Sequence, residues 1–141
     1  MPLGNAVNEY IKFQDNDFNE GSAFNNLNSS QKKINSNINN NTYKIFSTTM
    51  DSLMKHRDFQ CPNYLKIDVD GNEKFILRGA KNLFKNLNLR GVLIEIDEKG
   101  KDFIEITKFF KKNKFKIKSI NGNSLFTSPG DEYVRNYIFE R

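Results

Sequence analysis

Residues 64–120 switch repeatedly between two hydrophobic periods, and that switching limits the folds open to the chain. In YLKIDVD, residues 64–70, Leu65, Ile67 and Val69 fall on one face of an extended strand and Lys66, Asp68 and Asp70 on the other. Next, Ile76, Ala80, Leu83, Phe84 and Leu87 recur at helical spacing, which predicts a helix over 72–87 with one buried face. VLIEID predicts a strand over 92–97. Phe103, Ile106 and Phe110 predict a helix over 102–112, and KFKIKSI a strand over 114–120. Strand, helix, strand, helix, strand is the order of a right-handed parallel α/β sheet. A last strand, 136–140, follows a turn region containing NGNS and SPGD, so it is expected to run antiparallel. The predicted class is α/β, mostly parallel, with helices packed on the sheet.

Upstream, the signals are weaker. EYIKF (9–13) and YKIFS (43–47) read as short strands, and Gly21 to Asn41 as a polar, flexible connection. Thr49 is placed to cap a short helix that turns Leu53 and Met54 inward. Gly79 costs a helix about 1 kcal/mol against alanine, so a bend or break is expected there. The length suits a single domain over 1–141, with a polar front (1–42) and an α/β core (43–141).

Charge and cysteine content narrow the setting. The formal charge of +5 is spread over many lysines and names no partner. Cys61 is the only cysteine, so no disulfide can form within the chain. No apolar run approaches the roughly 20 residues of a membrane span, and MPLGNAVNEY lacks a signal-peptide pattern. A cytoplasmic protein with no membrane partner is the expectation.

The acidic residues are the candidates for chemistry. Ligands of open α/β sheets sit outside the carboxyl ends of the strands. One strand ends in Asp68 and Asp70, and the next carries Glu95 and Asp97. Neighbouring strands would gather these carboxylates on one rim, a crowding that calls for a cation, a hydrogen-bond donor or a raised pKa. A plainer reading stands beside it. Asn72 suits a helix N-cap and Glu73 a helix first turn, so Asp70 and Glu73 also fit a structural role, and Asp97 a solvated one.

YLKIDVDGNEKFILRGAKNLF followed by GVLIEIDE resembles the C-terminal half of the FkbM family of S-adenosylmethionine-dependent methyltransferases. The likeness is strongest over 64–97 and extends loosely to GSAFNNL, TTMDSLM and NYIFER. Asp70 stands where that family more often has glutamate. The resemblance implies a partial Rossmann-like sheet and methyl transfer to a hydroxyl of a sugar, lipid or secondary metabolite. It implies Asp68 as the base or acceptor-orienting residue, with Asp70, Glu73 and Glu95 on the side of the S-adenosylmethionine cofactor. A negative crevice suits the cationic sulfonium of that donor. The acceptor would be a small molecule or glycan.

Such folds open with a strand, a glycine-rich turn and an acidic ribose-binding residue. Before residue 71 the only glycines are Gly4 and Gly21, and neither stands between a strand and a helix. The expectation is therefore a chain that lacks most of the donor-binding half and binds the cofactor poorly by itself, unless a partner chain supplies the rest.

Two other classes compete. Asp68 and Asp70 form an Asp-x-Asp pair of the kind that holds a divalent metal in sugar-nucleotide transferases. KFFKKNKFKIK, 108–118, interleaves lysine with phenylalanine as nucleic-acid surfaces do. Its helical period turns Phe110 inward and favours a solvated face over a nucleic-acid partner. His56 is expected to be exposed and Cys61 to pack, and no Cys/His metal cluster is visible.

Overall fold

The computed structural model describes residues 3–7, 10–15, 26–28, 41–56, 58–69, 71–122 and 132–141. Strands β1 (Tyr10–Asp15), β2 (Asn26–Asn28) and β3 (Asn41–Phe46) form an antiparallel sheet in the order β2-β1-β3. β2 falls inside the stretch expected to be a flexible connection, and it pairs with β1 from Lys12 opposite Asn28 to Gln14 opposite Asn26. The turn regions at NGNS and SPGD lie largely outside the described residues.

A short helix, α1 (Met50–Leu53), begins at Thr49, whose hydroxyl accepts the Ser52 N–H at 3.0 Å as the capping rule requires. Met50 is its buried residue, and Leu53 and Met54 are half-buried.

The second sheet contains β4 (Tyr64–Ile67), β5 (Gly91–Asp97), β6 (Lys116–Asn121) and β7 (Val134–Glu140), in the order β4-β5-β7-β6. β4 and β5 are parallel, while β7 runs antiparallel to both β5 and β6. Three strands therefore share one direction and the C-terminal strand alone opposes them. The mixed α/β sheet agrees with the predicted class. β7 does not extend an edge but inserts between β5 and β6, so only the β4–β5 ladder is parallel.

Helix α2 spans Glu73–Arg78, a 3-10 turn spans Leu83–Lys85, and α3 spans Phe103–Lys112. The predicted helix over 72–87 breaks at Gly79. Past that break Ala80, Leu83 and Phe84 are still buried as the period predicts, and the phase is lost only after them. Leu87 is 80% exposed, and Leu89 is buried in its place.

Crossovers of one hand, made twice in the same direction, put α2 and α3 on the same face of the sheet. They are tied to one another by Lys74–Asp102 at 2.7 Å and by a forked Arg78–Glu105 pair at 2.8 and 2.9 Å. Beneath them Val92, Ile94 and Ile96 of β5 meet Leu77, Phe84 and Phe110 in the core. Phe110 stacks on Phe139 of β7, ring centroids 3.8 Å apart, and Phe84 meets Phe109 and Phe110 edge-on. The C-terminal Arg141 closes this side: its guanidinium donates to the carbonyls of Asn86 and Phe84 and lies over the Phe115 ring.

The opposite face of the sheet presents Tyr64, Lys66, Leu93, Ile138 and Glu140 around a shallow cavity of about 380 Å³. No helical residue lines that cavity.

Candidate active site

Parallel register decides which acidic residues meet. Ile67 pairs with Ile94, both buried toward the helices. One residue further on, Asp68 and Glu95 follow this pair at the carboxyl ends of strands about 4.8 Å apart. β4 ends at Ile67, so Asp68 is the first residue past the strand rather than part of its interior. Asp97 lies two residues beyond Glu95. It is exposed, and its carboxylate accepts the Lys99 N–H at 3.0 Å, which stabilises the turn after β5.

The crowding at this rim is relieved from within the strand. Lys66 Nζ lies 2.9 Å from Asp68 Oδ2. The ammonium is held above its ordinary pKa, first by the hydrogen bond to Asp68, then by its charge, with a smaller contribution from Glu95. The strand alternation already put Lys66 and Asp68 on one face, so this pairing was visible as a pattern; its strength was not. The rim therefore has a resident cation beside its carboxylates.

Glu73 has a different environment. It opens α2, is buried at 7% exposure, and its Oε1 accepts the Gly71 N–H at 3.0 Å. That bond ties the strand-to-helix turn, where Gly71 takes a φ of 92°, a conformation glycine adopts without strain. Asn72 holds the N-cap position but does not cap with its side chain, which reaches back to the Val69 carbonyl at 3.4 Å instead. Asp70 lies outside the described residues, so the Asp68–Asp70 pair of the metal-binding reading is not placed.

Asp68 also lines a cavity of about 320 Å³ along the free edge of β4, together with Leu3, Met50, Leu65, Ile67, Val69 and Ile76. Leu3 and Met50 come from distant parts of the chain, and no local signal announces them. Leu3 is held there by a parallel bridge to Thr48 and by the neighbouring Gly4 N–H, which donates to the Thr48 carbonyl at 2.8 Å. The arrangement offers one exposed carboxylate beside an apolar slot.

Just past the carboxyl end of β5, Tyr137 donates to Glu98 at 2.6 Å, and burial with that hydrogen bond pushes its pKa up to about 12. Cys61 is half-buried against the core, and burial raises its thiol pKa, as a packing role predicts. Among the described residues no helix is long and apolar enough to cross a membrane.

The profile of the methyltransferase FkbM domain covers residues 2–117, which includes β4, α2, β5 and α3 and leaves β7 outside. No curated protein and no solved structure matches the chain. A profile that spans most of the length, on a sheet of the expected class, establishes that this chain belongs to the FkbM methyltransferase domain family.

Proposed function

We propose that the chain takes part in S-adenosylmethionine-dependent O-methylation of a hydroxyl on a sugar, lipid or secondary metabolite. The observation that supports this reading is the parallel β4–β5 register, in which Ile67 pairs with Ile94, so Asp68 and Glu95 each follow that pair at the carboxyl ends of two adjacent strands. When bound, the donor supplies a methyl group on a cationic sulfur. Asp68, exposed at the mouth of an apolar slot, accepts the acceptor hydroxyl's proton as the oxygen attacks. Lys66 keeps the Asp68 carboxylate on the open face, and Glu95 adds negative potential beside it. Glu73 acts by shaping the Gly71 turn rather than by touching the donor.

Donor affinity is proposed to be low for this chain by itself. In the sequence neither Gly4 nor Gly21 falls in a pattern that reads as strand, glycine-rich turn and helix, so a second polypeptide is proposed to complete the grip on the donor. A cytoplasmic setting fits this chemistry. Isothermal titration with S-adenosylmethionine tests the binding half of the reading: millimolar or weaker binding is expected, and micromolar affinity refutes the need for a second polypeptide. Transfer of label from a methyl-tritiated donor to hydroxyl acceptors tests the chemistry. Manganese-dependent binding of a nucleotide sugar in its place would move the assignment to glycosyl transfer.

A further inference from the structure

One surface lies apart from the carboxylate rim. Along α3, Ile104, Lys108 and Lys111 recur at helical spacing and form one stripe, with Lys101 in the turn just before the helix. The flank of α3 that carries Asp102 and Glu105 is tied to α2, so the stripe lies on the outer side of the helix. Beneath that side runs β6, in register with β7. Ile117 pairs with Phe139 and Ile120 with Tyr137, so both isoleucines continue the helix-bearing face beyond the cover of α3. Ile104, Ile117 and Ile120 are 63%, 51% and 48% exposed. Lys114, in the turn between α3 and β6, adds a further exposed cation. Three isoleucines in water, rimmed by lysines, are not what a purely solvated face needs.

We infer that this flank of α3 and β6 is a docking surface for an anionic lipid bilayer, with Ile104, Ile117 and Ile120 entering the headgroup boundary and Lys101, Lys108, Lys111 and Lys114 facing the lipid charge. Charge complementarity and apolar area act together in such attachment. Nucleic acid is the other polyanion a lysine-rich run suggests, but it needs aromatic platforms for its bases. The phenylalanines of this run are not available for that: Phe110 and Phe115 are buried in the core and Phe109 is half-buried against Phe84. Aliphatic side chains are what the surface exposes. The inference is independent of the methyl-transfer reading, since it uses none of the rim residues.

Co-sedimentation of the full chain with vesicles tests it. Pelleting is expected with phosphatidylcholine mixed with phosphatidylserine, not with phosphatidylcholine alone, and it should weaken as salt is raised. Ile104→Ser with Ile117→Ser, and separately Lys108→Glu with Lys111→Glu, should each lower the affinity about tenfold or more, at roughly fivefold per lysine removed. Unfolding temperature is measured alongside to show that both variants stay folded. Lys81→Glu with Lys85→Glu makes the same change in net charge on exposed residues that are not part of the stripe and should leave pelleting nearly intact. The inference is overturned if the wild-type chain fails to pellet with the anionic vesicles. It is equally overturned if the Lys81/Lys85 variant loses as much affinity as the Lys108/Lys111 variant, or if single-stranded RNA is held more tightly than the vesicles at the same salt.

Discussion

Lys66 of β4 and Asp68, the first residue beyond that strand, form an ion pair of 2.9 Å. Both side chains are well exposed, at 63% and 42%, so water screens the pair and it adds little to stability. Asp68→Asn should therefore leave the urea-unfolding midpoint almost unchanged. Methyl transfer, measured with a labelled donor and whatever partner completes the site, should fall about 10²–10⁴-fold if Asp68 is the base. A variant that keeps full transfer activity removes Asp68 from the mechanism.

Glu73 calls for the opposite separation. Its buried carboxylate meets the Gly71 N–H at 3.0 Å, so Glu73→Ala removes that acceptor and should cost about 0.5–1.5 kcal/mol in urea unfolding. Glu73→Gln keeps an acceptor oxygen in place and should recover most of the loss. Equal costs for the two variants would mean that charge near the start of α2, not the turn's hydrogen bond, is what matters.

At position 79, local propensity and packing disagree in sign. Helix propensity favours Gly79→Ala by about 1 kcal/mol. A Cβ there would collide with the Gly4 carbonyl oxygen and press on the Thr49 side chain at 3.1–3.2 Å. The variant should lose about 1–3 kcal/mol, as overpacked sites do. A stabilised variant would show that the segment around Leu3 and Gly4 does not rest against α2.

Tyr137 makes stability depend on alkaline pH. Its folded-state pKa of about 12 lies above the value near 10 of an unfolded tyrosine. The neutral phenol is thus favoured by the fold, and its contribution is complete below about pH 10 and is lost as the pH climbs toward 12. Tyr137→Phe should cost about 1 kcal/mol near neutrality through the lost bond to Glu98. It should also flatten the decline across that window relative to wild type, read as the difference between two urea-unfolding series. Identical declines would show that lysine titration alone governs the alkaline limb.

Much of the fold could be read from local pattern. Thr49 caps α1, Phe103, Ile106 and Phe110 form the inward face of α3, and the helix breaks at Gly79, because each depends on side chains within a turn or two of one another. Leu87 failed because the helical phase was carried past a break that the pattern itself had marked. The antiparallel sense of β7 followed from its loop connection, whereas its insertion between β5 and β6 depends on pairings across the sheet. β2, in an asparagine-rich stretch, likewise exists only through its partner β1.

The rim divides in the same way. Alternation alone put Lys66 with Asp68 and separated them from Ile67, since neighbouring residues of a strand face opposite sides whatever surrounds them. The pairing of Ile67 with Ile94 that brings the carboxyl ends of β4 and β5 together, the burial of Glu73 and the approach of Leu3 and Met50 to the β4 edge were decided by tertiary structure. Short-range periodicity is a property of the backbone and is written in every few residues. Register between strands, and contacts between residues far apart in the chain, are set by how the whole core packs, and no local window of sequence contains that information.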